Sequence, residues 1–501
     1  AAELYSRRRR RTPDPPLPRT YDRDIFSMYY SSRPLEVATR LIEVSAELLP
    51  LCFEPAISGR LLGSPPIDVE AADRAAAVRL RDALTRLGPA AVKAGQQLSI
   101  RPDLIPAVVV KELSKMHDSV VPIDDEVAID AIRNEWEGIE AGYREDVQKN
   151  SEDILDRMVY GGRAGLEQVA SASLGQVYRA NLVSRDASGT KIPGPRVAIK
   201  VQRPNMAQSV ALDLHILRII AGAADAAVSA VTKQAPHRQR LVDEFAAASW
   251  LELDYENEAR NQVFFKTELS ARKCDVYVPS VHGGLTTRHV LTTEWIDGIK
   301  LSDAQPEDLR RLVPVGVELF LTQLLDIGAF HSDPHPGNLL VNSSGQLCLI
   351  DFGLCATIED SERRAMTAAI VHLMTGDYDS LISVDAVNLG FLSGDMDKTE
   401  IRPILTKILS NGMLGAGSNL RARGRKLQEI SGELNEVFFR HPFSVPPFFA
   451  LITRGLAILE GIAITGDPNF DIFRASYPYA RRRAIAEFGV HGINKFKRNI
   501  S

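Results

Sequence analysis

The stretch FHSDPHPGNLLVNSSGQLCLIDFG, residues 330–353, constrains this 501-residue chain more than any other feature. Asp333 precedes Asn338 by five residues, and Asn338 precedes Asp351 by thirteen. Between Asn338 and Asp351 two short apolar runs flank Asn342-Ser343-Ser344-Gly345, the pattern of a hairpin. Two hard oxygen donors at the ends of a hairpin, with a carboxylate upstream, suit a Mg²⁺ held against a polyphosphate and a nucleophile placed beside it. His331, Asp333 and His335 also admit a His-x-Asp-x-His metal site, because imidazole and carboxylate are common ligands. That alternative accounts for less of the segment, since it leaves out Asn338 and Asp351.

The order of Asp333, Asn338, hairpin and Asp351-Phe352-Gly353 matches a kinase catalytic loop followed by its metal-binding aspartate. Val197-Ala198-Ile199-Lys200 provides an independent check upstream. It is a β-branched run ending in the lysine that, in such a layout, holds the α- and β-phosphates of ATP. That lysine needs a carboxylate from a following helix. The helix expected over WLELDYENEARN offers Glu252, Asp254 and Glu258. Asp254 and Glu258 would share a face at i, i+4, and Glu258 is the expected partner of Lys200. LTTEWIDG reads as the adenine-facing hinge, with Thr293 as gatekeeper and the backbones of Glu294 and Ile296 towards the base. The loop Val169-Ala170-Ser171-Ala172-Ser173, together with Val177, Ala198 and His335, completes the expected ATP-contacting set.

Three departures narrow the class. Where glycines would let the backbone approach phosphate, the phosphate loop carries alanine and serine. Ser332 and His335 stand where protein kinases carry Arg and Lys, and no Ala-Pro-Glu follows Asp351-Phe352-Gly353. The nucleotide machinery is therefore expected intact and the peptide-substrate platform absent.

The rest of the chain sets limits. A hydrophobic fraction of 45% with 25% charged residues excludes a disordered, collagen-like or disulfide-dense protein. Net charge −5 gives no reason to expect nucleic acid as the main partner. Four cysteines without Cys-x-x-Cys spacing point to free thiols in a reducing compartment and no structural zinc. The most apolar stretch, Val445 to Thr465, carries Arg454 and Glu460, so a transmembrane span is not expected. Arg7 to Arg11 and the prolines up to Pro18 read as a disordered basic tail, either simply solvated or a membrane-surface or targeting remnant. With Ala1 at its start, the chain is expected to be a trimmed product.

Periodicity predicts helices from Asp24 to about Ser114, broken at Gly63–Pro66, and another over Asp124 to Glu140. Residues 141–165 read as loop. A five-strand cluster follows, made of two runs in LEQVASASLGQVYRANLV, then RVAIKVQRP, DVYVPSVHG and HVLTTEWIDG. SRDASGTKIPGP reads as a polar loop within it, and helices are expected over 208–231 and 238–269. From Gln305 onward the pattern is helical apart from the hairpin.

These features, with VKAGQQLSIRPDLIP, make the chain resemble the UbiB/ADCK family of atypical kinases from about Leu80 to Tyr479. The family's marks stand here as Lys93-Ala94-Gly95-Gln96, the alanine-rich Ala170 to Ser173, Glu252-Leu253-Asp254, and His331 to Asn338 before Asp351-Phe352-Gly353. Ser171 departs from the alanine-rich pattern. The resemblance implies an α+β, protein-kinase-like bilobal fold with a small sheet-based N-lobe, a mostly helical C-lobe and extra helices at both ends. It implies ATP and Mg²⁺ as cofactors and Asp333, Lys200 and Glu258 as catalytic residues, with Asn338 and Asp351 as metal ligands. It makes Lys93, Gly95, Gln96, Glu252 and Asp254 regulatory, with Lys93 meeting Glu252 or Asp254 and blocking a peptide substrate. The implied organisation is a tail (1–23), a helical extension (24–165), an N-lobe (166–298) and a C-lobe with helical extension (299–501). The implied role is support of isoprenoid quinone or prenyl-lipid metabolism. The C-terminal segment resembles the cyanobacterial–plastid branch, which implies a plastid, at thylakoid lipid droplets (plastoglobules), with a mitochondrion as the alternative. Expected partners are ATP, a membrane or lipid-droplet surface bound peripherally, and a prenyl lipid or lipid-enzyme complex. The rival reading is a pseudokinase scaffold that binds nucleotide and lipid.

Overall fold

Alternating side chains turn residues 167–202 into a three-stranded antiparallel meander, and the rest of one unit forms around it. The computed structural model describes residues 17–52, 69–99, 107–117, 122–143, 152–171, 174–231, 238–332, 336–375, 377–392, 399, 401–414 and 447–467, with scattered positions from 470 to 489. The chain divides into two units. One comprises Ala1–Ala259 and Val281–Glu294, the other Arg260–Ser280 and Trp295–Ser501. Together they give a kinase-like α+β fold, mostly helical with small sheets.

In the first unit the strands Glu167–Ser171, Gly175–Arg185, Lys191–Gln202 and Val290–Glu294 form one sheet in that spatial order, every pair antiparallel. Val197, Ile199, Val201, Tyr178 and Ala180 bury one face against Ala128, Ile129, Ile132 and Trp136 of the Asp125–Tyr143 helix. Gly175 has no side chain because a Cβ there would lie 2.3 Å from the Val201 carbonyl oxygen. The helices Arg23–Ser31, Pro34–Cys52, Val69–Leu87, Pro89–Ser99, Met206–Val231 and Arg238–Leu251 make up most of the remainder. Asp22 caps the first of them by accepting the N–H groups of Asp24 and Ile25.

In the second unit, the strands Val276–Tyr277, Leu347–Leu349, Leu339–Asn342 and Gly298–Lys300 make a second sheet, while Ala329–His331 pairs with Cys355–Thr357. The core gathers Leu309, Leu312, Val313 and Phe320 of the Pro306–Leu321 helix with Leu459, Ile462 and Ala463 of Pro447–Gly466. No helix among the described residues is long and apolar enough to cross a membrane.

Several sequence expectations need correction. The third strand starts at Lys191, so most of the expected polar loop is strand and only Asp186–Thr190 turns. Pro193 and Pro195 are tolerated because the fourth strand pairs only with Val197–Val201, leaving the proline end on an edge. The helix expected over 238–269 is two, Arg238–Leu251 and Tyr255–Ala271. Asp254 therefore does not share a helical face with Glu258. It caps the second helix, accepting the N–H groups of Glu256 (3.0 Å) and Asn257 (3.2 Å). The five-strand cluster is four strands, because Val276–Tyr277 pairs in parallel with Leu347–Cys348 in the other sheet. The loop over 141–165 contains a short Asp153-capped helix, Ile154–Met158, which buries Ile154 and Leu155.

Candidate nucleotide and metal site

Lys200 lies opposite Val177 on one neighbouring strand and Leu291 on the other, while Ala198 lies opposite Thr293. Opposed residues of antiparallel strands share a face. Val177, Ala198, Lys200 and Thr293 therefore occupy the sheet face away from the Asp125–Tyr143 helix. Lys200 Nζ donates to both Glu258 carboxylate oxygens, at 3.0 and 2.9 Å, and lies 5.1 Å from the Tyr255 ring centroid. Glu258 is buried in the first turn of the Tyr255–Ala271 helix, where its charge also suits the helix dipole.

Val169, Ala170 and Ser171 close the first strand, which bulges between Gln168 and Ala170; Ala172 and Ser173 lie outside the described residues. Arg203 ties the end of the first strand to the residue before the second. Its N–H donates to the Leu174 carbonyl at 2.9 Å and its guanidinium to Ser171 Oγ at 3.2 Å. Sequence reading missed Arg203; the signal available was an arginine leaving the lysine strand just before Pro204.

The Lys-x-Gly-Gln residues divide their tasks. Lys93 pairs with Glu252. Gly95 packs so closely that a Cβ would meet Met116 Sδ at 2.8 Å, and Gln96 Nε2 donates to the Met116 carbonyl at 3.0 Å. Asp254 serves as the helix cap described above.

In the second unit the hairpin explains the thirteen-residue spacing. Leu339 pairs with Leu349, and the Ile350 N–H donates to the Asn338 carbonyl at 3.0 Å, which brings Asn338 and Asp351 to one end of the hairpin. Asp351 is exposed and has φ +63°, a left-handed conformation costly for a residue other than glycine. Several contacts hold it there. Phe352 is fully buried, stacked on Phe265 at 5.5 Å and edge-on to His331 at 5.7 Å, and Asn261 Nδ2 donates to its carbonyl at 3.0 Å. His331 Nε2 bonds the Asp351 carbonyl, while the His331 N–H donates to Gln323 Oε1 at 2.7 Å. Gln323, only 1% exposed within the π-helical turn Thr322–Ile327, was also missed, since no motif marks it. Asp333 and His335 lie outside the described residues. No group of three or more His, Cys, Asp or Glu among the described residues could hold a metal ion. The Asn338 amide oxygen and the Asp351 carboxylate are hard donors of the kind Mg²⁺ takes.

A kinase-like fold whose lysine strand is paired to a helix glutamate, and whose Asn–hairpin–Asp segment is closed by hydrogen bonds, defines the class. The model of the ABC1 atypical kinase-like domain matches residues 131–385, and the chain belongs to that family. It is 36% identical over 476 residues to an uncharacterised protein of Synechocystis, covering 93% of this chain and 63% of that protein. It is 34% identical over 472 residues to the chloroplastic protein ACTIVITY OF BC1 COMPLEX KINASE 3 of Arabidopsis thaliana, covering 93% of this chain and 61% of that one. A second uncharacterised Synechocystis protein is 34% identical, with 93% and 76% covered. The chain thus spans less than two thirds of the first two relatives. A solved structure titled as the Rv3197–erythromycin complex of Mycobacterium tuberculosis aligns over 84% of this chain and 96% of its own at 21% identity, with a TM-score of 0.49.

Proposed function

We propose that the chain is an ATP-consuming kinase or ATPase that uses Mg²⁺, acts in a plastid and supports prenyl-lipid metabolism. The observation that carries this reading is the two-oxygen bond of Glu258 to Lys200, which holds the lysine extended from the sheet face. In this reading Lys200 binds the α- and β-phosphates, and the strand ends at Val169–Ser171 and Val177 approach the nucleotide. Ala198 and the backbones of Glu294 and Ile296 contact adenine. Asn338 and Asp351 would hold Mg²⁺, which supplies charge neutralisation to the transferring phosphoryl group. Asp333 receives the proton of the incoming nucleophile, and His335 contacts the nucleotide. Chloroplastic and cyanobacterial relatives support the plastid setting. The Arg7–Arg11 run supports peripheral attachment to an anionic lipid surface such as a plastoglobule, at about 1 kcal/mol per arginine.

Phosphate release from Mg-ATP, with and without vesicles of anionic plastid lipids, tests the reading. Turnover that depends on Mg²⁺ and rises with vesicles supports it. Nucleotide binding without turnover under either condition would make the chain a scaffold instead.

A further inference from the structure

Within the second unit, the π-helical turn Thr322–Ile327 carries Gln323, whose side chain accepts the buried His331 N–H. His331 in turn bonds the Asp351 carbonyl. Turns of this kind are rare and frequently sit at functional sites. This one closes through the Gly328 N–H, which donates to the Gln323 carbonyl at 3.0 Å, with Gly328 left-handed at φ +74°.

The C-terminal part of the chain grips this turn from outside. The Tyr479 hydroxyl donates to Asp326 Oδ2 and shares a hydrogen bond with the Thr322 side chain, so it links two residues one turn apart. Arg483 Nη1 pairs with Asp326 Oδ1 at 3.1 Å, and Arg363 Nη1 donates to the Asp326 carbonyl at 3.2 Å. Tyr479 is buried in the same core as Leu319, Phe320 and Phe330. Burial, with the Asp326 carboxylate second, pushes its hydroxyl above the ordinary tyrosine pKa, so it stays protonated and able to donate. A hydrogen bond to a carboxylate is about twice as strong as one between neutral groups. Gln323 lies between Thr322 and Asp326, so its direction follows from the turn that Tyr479 closes. Tyr479 and Arg483 both stand beyond residue 385, where the match to the family domain ends.

We propose that Tyr479 is a positioning residue for Asp351. It holds the π-helical turn in the form in which Gln323 reaches His331, and His331 then keeps the Asp351 backbone left-handed. The C-terminal part of the chain thereby sets how tightly Mg²⁺ is held without touching it. The inference rests on Asp351 being a metal ligand, and its structural half can be measured without metal or nucleotide.

Two measurements on the full chain test this in Tyr479→Phe, which keeps the ring and loses only the hydroxyl. Ile472→Val, a buried change in the same C-terminal part that removes no hydrogen bond, is the control. The first measurement is hydrogen exchange without nucleotide or Mg²⁺. In Tyr479→Phe the His331 and Ser332 amides should exchange about tenfold faster relative to the Val317 amide of the Pro306–Leu321 helix. In Ile472→Val that ratio should stay parental. The second is Mg²⁺ titration of ATP turnover. The Mg²⁺ concentration for half-maximal turnover should rise about fivefold in Tyr479→Phe, with KM for ATP at saturating Mg²⁺ within about twofold of the parent. A parental exchange ratio in Tyr479→Phe would overturn the proposal, as would a parental Mg²⁺ requirement in that variant. A parent without turnover would count against the ATP-consuming reading instead, and the exchange ratio alone would then decide whether Tyr479 positions Asp351.

Discussion

Lys93 and Glu252 form an ion pair whose side chains are only 15% and 7% exposed, joining the Pro89–Ser99 helix to the turn after Arg238–Leu251. Removing one partner leaves the other charge buried, which typically costs about 3–5 kcal/mol. Lys93→Ala should lower the unfolding free energy by about 3 kcal/mol and speed hydrogen exchange over residues 89–99. Lys93→Glu combined with Glu252→Lys should recover part of that loss. Parental stability and exchange in both Lys93→Ala and Glu252→Ala would mean the pair fastens nothing.

Gln323 should act on Asp351 through His331. Gln323→Ala leaves the buried His331 N–H unmet, a cost of about 1–3 kcal/mol. It should also lower Mg-ATP turnover, because His331 bonds the Asp351 carbonyl. Gln323→Glu keeps an acceptor and should restore much of the turnover. An alanine variant that loses stability but keeps full turnover would limit Gln323 to the core.

Ala170 sits exposed at the bulged end of the first strand, next to Ser171, whose hydroxyl accepts from the Arg203 guanidinium. Replacing it with glycine frees the backbone to approach phosphate. Ala170→Gly should change the ratio of ATP to ADP affinity several-fold, as measured by titration of each nucleotide with Mg²⁺. An unchanged ratio would show that the alanine does not tune nucleotide choice.

His215 stacks on Tyr30 with ring centroids 5.2 Å apart. Burial, with the charge of Arg218 second, holds its pKa below the ordinary 6.5. The folded chain therefore keeps the imidazole neutral where the unfolded chain takes up a proton. This contribution to stability is complete above pH 6.5 and is lost as pH falls towards the depressed folded value. Denaturation at several pH values from about 7 down to about 5 should show a steeper fall for the parent than for His215→Phe. Equal slopes would remove His215 as a source of acid sensitivity.

The lysine, its glutamate and the Asn–hairpin–Asp spacing were legible because each is local: a strand end, one helical position and one hairpin. The break between Arg238–Leu251 and Tyr255–Ala271 was harder to see, since no glycine or proline marks it. Asp254 followed by Glu256 and Glu258 is nonetheless a helix-start signal that could have shown it. The long Lys191–Gln202 strand was hidden by Pro193 and Pro195, whose tolerance depends on where a non-local neighbour stops. Gln323 arises from tertiary packing and leaves no spacing to read, whereas Arg203 showed only as an arginine ahead of Pro204.

The central claim is that Asp351 holds a metal required for ATP chemistry. Asn adopts left-handed backbone readily, so Asp351→Asn removes the charge without new strain at φ +63°. The decisive measurement is Mg-dependent phosphate release by the parent and by this variant, with melting recorded for both. The account predicts turnover by the parent, and in the variant a fall of at least a hundredfold, corresponding to about 3 kcal/mol or more in the barrier, with melting unchanged. Parental turnover in a correctly folded Asp351→Asn protein would contradict it.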